Sequence, residues 1–118
     1  MNSSDLISLT KRLREFADAR DWEQFHSPKN LAMALSVEVA EIVEHFQWLS
    51  QEQSSNLPEK TLVKVETELA DTLLYLVRLA DKLGIDLLSA AQQKIEVNEK
   101  KYPIEKARGN AKKYTDLD

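Results

Sequence analysis

The chain of 118 residues contains no cysteine, which excludes disulfides and thiolate metal sites and agrees with a reducing compartment. Glycine occurs twice and proline three times. No useful length alternates apolar and polar residues, so strands are not expected and the chain reads as all-α. No apolar run approaches the roughly 18 residues that span a bilayer, and the N-terminus lacks the apolar core of a signal peptide. A cytoplasmic protein with no membrane segment is the expectation. The net charge of −4 and the absence of a recognised binding motif argue against a nucleic-acid polymer as partner. The length suits a single domain over residues 1–118 with a small core.

What the chain does have is two acidic motifs of one spacing, Glu38-Val39-Ala40-Glu41 and Glu68-Leu69-Ala70-Asp71. Carboxylates three residues apart on a helix share a face. If residues 28–51 and 58–83 form a helical hairpin turning near Ser54 and Ser55, Glu38 lies level with Asp71 and Glu41 with Glu68. On a helical wheel, Leu31, Leu35, Ile42, Phe46 and Leu49 make the apolar stripe of the first helix, with Glu38 on its shoulder and Glu41, His45 and Trp48 further out. The second helix carries two stripes, Leu62, Val65, Leu69, Leu73, Leu76, Ala80 and Leu83 on one side and Val63, Ala70, Leu74 and Val77 on the other. A polar strip of Glu68, Asp71, Tyr75, Arg78 and Lys82 runs between them. Four close carboxylates raise one another's pKa unless a cation is present. Mg²⁺ fits an all-oxygen site that also keeps substrate phosphates, with Mn²⁺ as its substitute.

Taken in order, a first helix is expected from about Ser4 to Arg20, with Leu6, Leu9, Leu13, Phe16 and Ala17 at core spacing. The connector Arg20-Asp21-Trp22-Glu23-Gln24-Phe25-His26-Ser27 is rich in large rings, which either stack on a nucleobase or cap the core. Ser27-Pro28 starts the second helix, which is expected to end near Trp48 or Leu49. Ser50 to Pro58 reads as a polar loop. The third helix runs from Pro58 or Glu59 to Gly84, and its two stripes call for two packing partners, inside the bundle or on another subunit. Asp86 caps a fourth helix stopped by Tyr102-Pro103. Along it Lys94, Asn98 and Lys101 recur on one face, either as a phosphate-binding strip or as a solvated surface. Seven bases against three acids over residues 94–113 contrast with eight acids against two lysines over 38–71, a distribution suited to a phosphorylated ligand bridged by metal. The tail from Ile104 to Asp118, with Lys106, Arg108, Lys112 and Lys113, either wraps the body or stays mobile.

These motifs resemble the MazG-like all-α nucleoside triphosphate pyrophosphohydrolases, marked by a Glu-x-x-Glu helix followed by a Glu-x-x-Asp helix. Trp22 to His26, Phe46-Gln47-Trp48, Tyr75-Leu76-Val77, Tyr102-Pro103 and Lys113 to Leu117 are similar to the dCTP pyrophosphatase branch. The resemblance implies a four-helix unit, assembled as a homodimer or homotetramer, with a short C-terminal tail. It also implies Mg²⁺-dependent hydrolysis of dCTP or a 5-modified dCTP to the monophosphate and pyrophosphate. Glu38, Glu41, Glu68 and Asp71 would hold the metal, and Trp22, Gln24, Phe25, His26, Trp48 and Tyr75 would line the nucleotide pocket. Lys94, Asn98 and Lys101 are further candidates for phosphate contacts. Vertebrate members of the branch carry a histidine where this chain has Leu13. The alternatives are a broader NTP or dNTP pyrophosphohydrolase and a non-catalytic helical interaction module.

Overall fold

The structure is a computed structural model and describes residues 5–117, so the expected helix start at Ser4 and the terminal Asp118 lie outside the described residues. All regular structure among the described residues is helical. By packing, the chain divides into one compact unit ending at Ile85 and a second beginning at Asp86.

In the first unit, α1 spans Leu6–Ala19, with the Asp5 carboxylate accepting from the Ser8 amide at 2.7 Å. Such a cap satisfies an amide that the first helical turn leaves without a carbonyl. After α1 the backbone turns at Asp21, at φ 53 a left-handed residue that is not glycine. A short 3₁₀ turn follows over Glu23–Phe25. Ser27 then caps α2, Pro28–Phe46, its hydroxyl accepting from Asn30 N at 3.1 Å with proline at the first position.

The second helix is shorter than its sequence suggests. Leu49 N donates to Phe46 O at 2.9 Å in a closing turn, and Ser50 opens a separate helix, α3, Gln51–Ser54. The polar segment expected to be loop is therefore partly helical. Ser50 Oγ accepts from Gln53 N, and Gln53 Oε1 accepts from Ser50 N, a reciprocal cap that stabilises one isolated turn.

From Glu59 to Lys82 runs α4, the longest helix. It ends with Ile85 N donating to Ala80 O at 2.9 Å around Gly84, whose φ of 68 suits the left-handed residue of this closure. Both α2 and α1 pack against α4. Ala17, Leu31, Val65, Val77 and Ala80 form the buried core, with Leu9, Leu13, Leu35, Ile42, Leu74 and Leu79 half-buried around it. Neither stripe expected on α4 is covered along its whole length, and Val63 on the second is 56% exposed. Val65, Val77 and Ala80 are buried, whereas Leu62, Leu69 and Leu73 are 52%, 54% and 43% exposed.

The second unit holds α5, Leu87–Lys101, capped by the Asp86 carboxylate accepting from Ser89 N at 3.0 Å. A short α6, Ile104–Ala107, and a 3₁₀ turn over Tyr114–Asp116 follow. The tail returns to the end of α5, where the Tyr114 ring meets Tyr102 edge-on at 6.3 Å and lies under Lys101 Nζ at 4.7 Å. No helix among the described residues is long and apolar enough to cross a membrane.

Candidate active site

The hairpin brings the two acidic motifs into one electrostatic environment. Glu38 and Glu41 project from α2, and Glu68 and Asp71 from α4. Burial pushes the Glu38 carboxyl above the usual carboxylate range, and Glu41, Asp71 and Glu68 push it in the same direction. Each of the other three acids therefore acts on Glu38, two of them across the helix pair. Glu38 Oε2 and Glu68 Oε2 are buried without a hydrogen bond. His45 adds an unexpected neighbour, its Nε2 2.7 Å from Glu68 Oε2, close enough for an ion pair but not in hydrogen-bonding alignment. Among the described residues, no three His, Asp or Glu side chains stand in metal-holding geometry. What fits a hard divalent cation is the donor set, four carboxylates with the buried Glu38 Oε2 left without a partner.

Beside the acids opens a cavity of about 250 Å³. Asp71 belongs to its wall, so one metal-candidate carboxylate faces the same space. Leu13, Phe16, Ala17, Leu31 and Leu74 supply apolar wall, and Trp22, His26, Tyr75 and Arg78 supply rings and polar groups. The Trp22 ring meets Phe16 edge-on at 5.5 Å and His26 at 6.1 Å. Such T-shaped pairs suit the ring quadrupoles and stiffen the wall.

The residues expected to bind nucleotide divide accordingly. Trp22, His26 and Tyr75 line the cavity. Gln24 does not line it, and its amide donates to Asp21 O and Oδ2, closing the connector turn. Phe25 is 60% exposed and its carbonyl accepts from Asn30 Nδ2. Trp48, past the end of α2, is 86% exposed. Lys94, Asn98 and Lys101 belong to α5 in the second unit, where Lys101 contacts Tyr114 and Asn98 O accepts from Tyr102 N.

The sequence reading left one group without a role. Arg78 is 4% exposed and is bound by Glu23, His26 and Asp81. Glu23 also bonds Lys82, and Asp81 also accepts from Arg14 at 2.5 Å. The Lys82 contact, with that of Arg78, holds the Glu23 carboxyl below its ordinary range, and the Arg14 contact does so for Asp81. A charge-spacing signal for this network existed, since Arg78 and Lys82 stand one turn apart on α4 and Glu23 offers two oxygens.

Comparison with known proteins agrees with this architecture. The sequence model of the MazG-like family matches residues 33–117. Over 105 residues the chain is 47% identical to dCTP pyrophosphatase 1 of Mus musculus and 42% identical to that of Homo sapiens, in each case across 87% of this chain and 62% of the relative. The chain thus spans about three-fifths of the length of these curated relatives. Among solved structures, a pyrophosphatase from Archaeoglobus fulgidus superimposes with a TM-score of 0.78 at 44% identity, covering 83% of this chain and 92% of that one.

Proposed function

Since the chain belongs to the MazG-like family, we propose that it is a Mg²⁺-dependent nucleoside triphosphate pyrophosphohydrolase that converts dCTP or a 5-modified dCTP to the monophosphate and pyrophosphate. The observation carrying this reading is the Asp71 carboxylate, which belongs at once to a four-acid cluster and to an aromatic-walled cavity. A nucleoside triphosphate needs that combination, a metal-binding end for its phosphates and a ring-lined end for its base. The names of the relatives, dCTP pyrophosphatase 1 and a pyrophosphatase, point the same way.

In this reading Glu38, Glu41, Glu68 and Asp71 hold the metal. Bound there, Mg²⁺ supplies charge neutralisation for the phosphates and lowers the pKa of a bound water. The chain's own contribution is placement. α4 carries Asp71 and Tyr75 one turn apart, so both ends of the substrate are oriented by one rigid element. The apolar wall of Leu13, Phe16 and Leu74 excludes water from the base and leaves carbon contacts for a 5-substituent. Lys94, Asn98 and Lys101 remain the candidate phosphate contacts outside this cavity. The uncovered leucines of α4 are assigned to a homo-oligomeric contact, in which residues 1–118 form one repeating catalytic domain.

Incubation with each dNTP and Mg²⁺, with products resolved by ion-exchange chromatography, tests the class. Pyrophosphate and the monophosphate are expected, with dCTP or its 5-modified forms turned over fastest. Orthophosphate as the released product, or no turnover of any dNTP, overturns the reading.

A further inference from the structure

One buried cation ties the aromatic connector to α4. Arg78 Nε donates to His26 Nδ1 at 3.2 Å, Nη2 to Glu23 Oε2 at 2.5 Å and Nη1 to Asp81 Oδ2 at 3.3 Å. A guanidinium carries only donors and keeps its charge in proteins. The His26 nitrogen facing it must therefore offer a lone pair. In a neutral imidazole the single proton then belongs to the other nitrogen, Nε2. Burial, and after it the charge of Arg78, lower the His26 pKa, with Glu23 opposing them, so the ring is neutral near pH 7. Nε2 has no hydrogen-bond partner among the described residues, and the ring forms part of the cavity wall.

We propose that Arg78 is a positioning residue that fixes His26 as its Nε2–H tautomer, so that His26 presents a hydrogen-bond donor to an acceptor, a ring nitrogen or carbonyl oxygen, on the nucleobase in the cavity. The inference rests on the reading of that cavity as the base site and adds what selects the base. Leu13, Phe16, Leu31 and Leu74 offer only carbon to the ligand, and Arg78 directs Nε, Nη1 and Nη2 to protein partners. A donor fixed in such a wall is satisfied by a base that turns an acceptor toward it and left unpaired by one that does not. That difference discriminates better than added apolar contact.

Nitrogen NMR of the ligand-free protein tests the tautomer directly. The chain has two histidines, and His26→Gln assigns the signals by removing one set. The wild type is expected to show His26 with a bare Nδ1 and a protonated Nε2. Arg78→Met and the milder Arg78→Lys are expected to release the ring into a mixture of tautomers. A protonated Nδ1 in the wild type overturns the proposal.

Binding supplies the second readout, using non-hydrolysable α,β-imido-dCTP and, as control, deoxyribose 5′-triphosphate without a base, each with Mg²⁺. Loss of one hydrogen bond predicts that His26→Phe and Arg78→Met weaken the imido-dCTP complex about tenfold while changing the baseless ligand less than about twofold. His26→Gln keeps a side-chain N–H and is expected to recover part of the loss. Equal losses on both ligands overturn the base contact. Should the wild type bind neither triphosphate, the nucleotide reading fails and the base contact with it, while the NMR result still decides the Arg78–His26 relationship.

Discussion

Arg78 and Glu23 lie 55 positions apart in the chain, yet Arg78 Nη2 donates to Glu23 Oε2 at 2.5 Å. The contact joins α4 to the connector between α1 and α2, and it is asymmetric. The arginine side chain is 5% exposed and the glutamate 50%. Most of the desolvation therefore falls on the arginine, which recovers it through three partners.

Replacing the buried member should weaken the fold. Arg78→Met is expected to lower the unfolding free energy by about 1–3 kcal/mol, because three hydrogen bonds are lost and Glu23 and Asp81 each lose one of their two cationic partners. Glu23→Gln should cost less, since its carboxylate is already half in water. Urea titrations followed by circular dichroism measure both.

Acid should dissolve the same network from the other side. Arg14 holds Asp81 below the usual aspartate value of 3.8. A carboxyl whose folded pKa is depressed contributes stability above its unfolded pKa and loses it as pH falls through the folded one. Wild type should therefore exceed Asp81→Asn in Tm at neutral pH, and the two should converge below about pH 3.8. A constant difference across that range would mean that Asp81 acts through packing and not through charge.

The acid cluster should trade stability for turnover. Glu38 has a buried, unbonded oxygen among three other carboxylates, so Glu38→Gln removes repulsion and should raise Tm in chelator. On the proposal that Glu38 holds the metal, the same substitution should lower dNTP hydrolysis by about 100-fold or more, since loss of a ligand exceeds loss of an outer contact. Asp71→Asn should likewise abolish turnover with the helical spectrum retained. Near wild-type rates in either variant would remove the acids from the catalytic centre.

The uncovered leucines of α4 should hold copies of the chain together. Leu69→Glu and Leu73→Glu place a charge on that face and are expected to reduce the mass measured by sedimentation equilibrium to that of one chain. Unchanged mass in both variants would move the contact elsewhere.

Much of this arrangement is legible in the sequence because it is local. Ser27-Pro28 and Asp86 name their own helix starts, Gly84 names a stop, and the two acidic motifs fall on α2 and α4 as their spacing suggests. The helical turn at Gln51–Ser54 escapes notice because four polar residues carry no apolar period, and only the Ser50 and Gln53 cap betrays it. Trp48 is placed in the pocket by resemblance alone, and in the single chain α2 ends two residues before it and leaves it exposed. Arg78 looks like one more cation on a polar strip. Its partners Glu23 and His26 are fixed by how α1 and α4 pack, and no window of sequence contains both sides of that contact.

A straight α-helix rises about 1.5 Å per residue, and α4 runs without interruption from Glu68 past Arg78. It therefore works as a rigid spacer that keeps Asp71 and Arg78 about 10 Å apart. The His26 ring bound by Arg78 is thereby tethered at a set distance from the Asp71 carboxylate.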